Sequence, residues 1–62
     1  MSEVDKAFYQ GFAVGIAALI REHDQPTMAL DIMYSNGITI EDLRKAKVEG
    51  FDLRPISKAM RP

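Results

Sequence analysis

The sequence predicts an all-α fold, a bundle of one long N-terminal helix and three short ones. Three observations predict it. Apolar residues recur at helical spacing, and no stretch of alternating β-branched residues competes with them. Helix start signals (Ser2, Asp24, Thr39, Asp52) and stop signals (Asn36-Gly37, Gly50) divide the chain into four segments. The segments are separated by only a few residues, as in packed helices.

The first segment runs from Ser2 or Val4 to Glu22. Ser2 suits an N-cap, with Asp5 three residues on. Asp24 is expected to cap the second helix, whose first turn holds Pro26, where a missing N–H costs nothing. Ala29, Ile32 and Met33 share its apolar side, and Asn36-Gly37 ends it because glycine takes the left-handed conformation freely. Thr39 opens the third helix, with Asp42 placed to reach back to it and Ile40 and Leu43 facing inward. Gly50 is expected to end that helix. Asp52 would then cap a fourth, with Pro55 in its first turn and Leu53, Ile56 and Met60 inward.

At 62 residues the chain is one domain, read as 1–62. A chain this short buries only about 60% of the surface its unfolded form exposes. Its 47% hydrophobic and 27% charged residues are those of a folded chain. Without cysteine there are no disulfides and no thiolate chemistry, which for so small a domain favours a reducing, cytoplasmic setting. No membrane association is expected either. The apolar run Gly11 to Ile20 would reach about 15 Å as a helix, half of a bilayer core.

That run is the most informative stretch, because it has no polar side chain on any face. A helix apolar all round is normally surrounded. Either three short helices wrap it, or part of it packs on a symmetry mate in a homodimer. Phe8, Phe12 and Leu19 are expected in the core. Ala7, Gly11, Gly15 and Ala18 fall four, four and three residues apart on one face. Two glycines inside a helix cost about 1 kcal/mol each against alanine. Close approach of another backbone would offset that cost, from the second or fourth helix or from a second copy.

Catalytic and cofactor chemistry is missing from the sequence. His23, the sole histidine, lies at a helix end where a capping or surface role accounts for it. The acids lack calcium-loop spacing, and no GxGxxG, P-loop or HExxH is present. No catalytic residue, cofactor or metal is expected, and an enzyme is disfavoured.

Charge is unevenly distributed. Residues 1–43 carry seven acids against two cations, and residues 44–62 six cations against two acids. Arg54, Lys58 and Arg61 recur at i, i+4 and i+7, making a basic edge that Arg44 and Lys47 can extend. Tyr34, near the end of the second helix, is a second candidate contact.

The stretch Ile32 to Ala46, IMYSNGITIEDLRKA, resembles the middle of a helix-turn-helix, with Gly37 at the turn, Ile38 buried, Thr39 capping and Leu43 inward. The resemblance implies DNA binding. It departs from the pattern at Met33, where a small residue is usual, and at Glu41-Asp42, which would face phosphates. The favoured expectation is therefore a small protein-interaction module that docks on a macromolecular partner, with a helix-turn-helix DNA binder as the alternative.

Overall fold

A computed structural model describes residues 1–61. The chain forms four helices: α1 (Glu3–His23), α2 (Pro26–Ser35), α3 (Ile40–Lys45) and α4 (Gly50–Ala59), with no strand among the described residues. α1 is the axis of the bundle. It packs on each of the other three, α4 also touches α2 and α3, and α2 and α3 meet only through the shared core, with no Cα pair within 8 Å.

Local chemistry fixes most of the boundaries. The Ser2 hydroxyl accepts from the Asp5 N–H at 3.1 Å and starts α1. Thr39 and Asp42 form the full reciprocal cap of α3: the Asp42 N–H donates to Thr39 Oγ1 at 3.2 Å, and the Thr39 N–H donates to Asp42 Oδ2 at 2.9 Å. Gly37, at φ +69°, ends α2 with the Gly37 and Ile38 N–H groups bonded to the Tyr34 and Met33 carbonyls.

Four expected boundaries shift. Asp24 is the left-handed C-cap of α1 (φ 52°), and α2 begins instead at Gln25, which makes no side-chain cap. Aspartate suits both positions because its short side chain tolerates the left-handed region. The third helix ends at Lys45, five residues before Gly50, because Lys47 turns left-handed (φ 60°) and its N–H and that of Val48 bond the Arg44 and Leu43 carbonyls. Gly50 is thereby released to begin α4, with Glu49 as N-cap. Asp52 lies in the first turn of α4 as a nearly buried carboxylate 3.8 Å from Arg21, and Pro55 lies inside the helix. Asp52 still serves the positive end of the helix dipole from there.

Met33, Leu43 and Ile56 are the largest fully buried side chains. Ala13, Ile16 and Ala17 present α1 to them, and the two alanines let α2 and α4 come close. Gln10 adds a polar tie, donating from Nε2 to the Ala46 carbonyl at 2.9 Å. The described residues contain no buried side-chain polar atom without a partner.

Of the two expected arrangements, the one in which three short helices wrap the first helix is corrected. Three short helices cover only one side of a 21-residue helix, and Gly11, Val14 and Gly15 stay exposed. Phe8 is 57% exposed rather than buried, and Phe12 and Leu19 are half-buried at the margin. Ile32 and Met60 are exposed too, leaving Ala29 and Met33 of α2 and Ile56 of α4 as the buried positions.

Candidate functional site

Two surfaces stand out, and they lie on different parts of the molecule. The first is the outer side of α1. With about 100° between successive residues, Val4, Ala7, Phe8, Gly11, Val14, Gly15 and Ala18 fall within an arc of about 120° facing away from Ala13, Ile16 and Ala17. All are exposed except Ala18, which is half-buried. No charged side chain lies on this arc from Val4 to Ala18; Glu22 comes one turn later. A Cβ added at Gly11 or Gly15 would meet nothing within 4 Å. The expected close approach of α2 or α4 to the small-residue row Ala7, Gly11, Gly15 and Ala18 therefore does not occur. Within the chain, the two glycines have no packing return.

The second surface is a groove of about 630 Å³ where the end of α1, the start of α2 and one side of α4 converge. Ile20, Pro26, Pro55 and Ala59 supply its apolar lining, and Arg21, Arg54 and Lys58 bring three cations against the single acid Asp24. Phe51 stands at one side with the Arg21 guanidinium 4.1 Å from its ring centre. Such stacking is worth about 0.5–1 kcal/mol at an exposed site. Arg21 is held further by Asp52 at 3.8 Å and Glu22 at 3.9 Å. Pro26 places the uncapped start of α2 at the same groove. The first N–H groups of a helix have no intrahelical partner, and their dipoles add positive potential.

The candidate contact residues read from the sequence are thereby divided. Arg54 and Lys58 share the groove, and Arg61 is exposed just past the last turn of α4. Lys47 borders a smaller hollow beside Ala7, Gly11 and Val14, next to the outer side of α1. Arg44 pairs with Glu41 at 3.6 Å on α3. Tyr34 is exposed on α2 and belongs to neither surface. Arg21 and Phe51 were not singled out from the sequence. Thirty residues part them, and only the packing of α4 on α1 brings the guanidinium over the ring.

α2 and α3 share the core through Met33, Ile40 and Leu43, but no Cα of one lies within 8 Å of a Cα of the other. The first turn of α3 carries Glu41 and Asp42. Among the described residues no group of three or more acids or histidines is placed to hold a metal, and no helix is long and apolar enough to cross a membrane. No protein-family model, curated protein sequence or solved structure matches the chain.

Proposed function

We propose that this chain is a non-enzymatic protein-interaction module whose contact surface is the outer side of α1, used first to pair with a second copy. One observation carries the reading: an exposed helix face, free of charged residues from Val4 to Ala18, with two glycines at which an added Cβ would meet nothing within 4 Å. Val4, Phe8 and Val14 are 79%, 57% and 52% exposed on that face. Contiguous apolar surface of this kind marks a contact site more often than idle surface.

An antiparallel pair crossing near Ala13 suits the residues. It sets Gly11 of one copy against Gly15 of the other, so the backbones approach where no side chain intervenes. It brings Glu3 toward Arg21 along one edge and Asp5 toward His23 along the other, and it opposes the two helix dipoles. A helix of 21 residues is about 31 Å long and about 10 Å across. Covering one side of two such helices removes on the order of 1,000 Å² in total, the lower limit for a specific interface. The pair is therefore expected to be weak, with a micromolar dissociation constant.

Sedimentation equilibrium across a concentration series tests this. The wild-type chain is expected to move from monomer to dimer, whereas Phe8→Glu and Val14→Glu, both on the exposed face, keep their helical circular dichroism and remain monomeric. A wild-type chain that stays monomeric at millimolar concentration, or variants that dimerise equally well, would overturn the proposal. No structural observation favours the DNA-binding reading over this one.

A further inference from the structure

We infer that the groove between α1, α2 and α4 binds a short acidic peptide segment of another protein, in which carboxylates alternate with aliphatic or aromatic side chains. Apart from Arg21, which borders both surfaces, the inference uses residues distinct from the α1 face, and it does not depend on self-association.

The groove combines two features that select such a ligand. Its lining offers Ile20, Pro26, Pro55 and Ala59 to an apolar side chain, and above them stand Arg54 and Lys58. Among the described residues neither Arg54 nor Lys58 forms an ion pair, whereas Arg21 is already paired with Asp52 and Glu22. A carboxylate entering the groove thus meets two cations that no described side chain pairs within 4 Å. An arginine fork binds a carboxylate through two parallel N–H bonds, and such charge-assisted bonds are about twice as strong as neutral ones.

The surroundings disfavour other anions. A polynucleotide needs a long row of cations and free aromatic faces on which bases stack. Here Arg21 covers one face of Phe51 at 4.1 Å, and Arg21, Arg54 and Lys58 are the groove's cations, a short cluster and not a long row. Nor is the groove a closed pocket made to engulf a small amphiphile. Arg21, Asp24, Pro26, Phe51, Arg54 and Lys58 all remain exposed, so the groove is an open trough across which a segment of chain can lie. A segment of alternating acidic and apolar residues fits both of its chemistries at once.

Amide chemical-shift titration of the full chain tests the inference with four probes: a twelve-residue peptide alternating glutamate and leucine, the same peptide with glutamine for glutamate, oligothymidylate, and decanoate. The expected result is saturable shifts centred on Ile20, Phe51, Arg54 and Lys58 with the acidic peptide. The glutamine peptide should bind at least tenfold more weakly. Arg54→Glu combined with Lys58→Glu, at two exposed positions, should lower the affinity at least tenfold while the spectrum stays dispersed. Phe8→Glu should leave peptide binding unchanged, which separates failure here from failure of the α1 contact. The inference is overturned by the absence of saturation at millimolar acidic peptide, by equal binding of the glutamine peptide, or by tighter binding of oligothymidylate or decanoate in the same groove.

Discussion

The Gln10 side-chain amide donates to the Ala46 carbonyl at 2.9 Å, tying the middle of α1 to the C-cap of α3 across 36 residues of sequence. The last carbonyls of a helix lack intrahelical donors, so Gln10 satisfies a group that the fold partly removes from water. Gln10→Ala is expected to lower the unfolding free energy by about 1 kcal/mol. Urea denaturation reads it out, and an unchanged midpoint would refute the role.

Thr39 and Asp42 are expected to act as a unit. Losing an N-cap hydroxyl costs about 1 kcal/mol, and with both bonds of the box present, Thr39→Ala and Asp42→Ala each remove a bond that holds the other in place. The double variant should therefore lose less than the two single losses combined. Strict additivity would show that the two bonds stabilise α3 independently.

These two interactions show what a sequence makes legible. The Thr39–Asp42 box, the Ser2 cap and the Asn36-Gly37 stop involve residues at most a few positions apart, and each was readable as a pattern. Asp24, Gly50 and Pro55 misled because each residue type suits more than one helix position, and tertiary packing made the choice. Phe8 was misplaced for another reason: the run Gly11 to Ile20 that follows it has no polar residue, so periodicity has no marker there to set which face of α1 turns inward. Of the candidate sites, the α1 small-residue row was visible and its exposure was not. The groove escaped notice because three separate segments build it, and Gln10 looked like an ordinary polar residue preceding an apolar run.

Lys47 occupies the left-handed region at φ 60°, where a Cβ costs about 1–2 kcal/mol and glycine has no such penalty. Part of that gain is offset by the greater freedom of glycine in the unfolded chain. Lys47→Gly is expected to raise stability by about 0.5–1 kcal/mol, and the β-branched Lys47→Val to lower it. A thermal melt at fixed protein concentration distinguishes the two directions.

Gly15→Ala should act in opposite senses on folding and on association. With open space above the position, alanine is expected to stabilise the folded monomer by up to about 1 kcal/mol. In the α1 pair the added methyl separates the crossing backbones, so dimerisation weakens at the same time. Chemical denaturation well below the dimer concentration, set beside sedimentation at high concentration, measures the two effects separately. A variant that is more stable and dimerises as before would leave Gly15 outside the seam.

Met33→Ala and Leu43→Ala remove fully buried side chains and are expected to cost about 2–5 kcal/mol each. A domain of 62 residues has a margin of only a few kcal/mol, so either variant should be substantially unfolded at physiological temperature. Loss of the dispersed amide spectrum is the readout.

Because α1 rests on α4 as well as on α2, and Ile56 closes the core, the first three helices cannot complete the packing without the last. Without α4 in place the core around Ala13, Ile16, Met33 and Leu43 lacks the cover of Ile56, so it closes only when α4 docks. Until then its most adhesive stretch is also its most available one, which makes early capture by a chaperone or a sister chain a competitor of native closure.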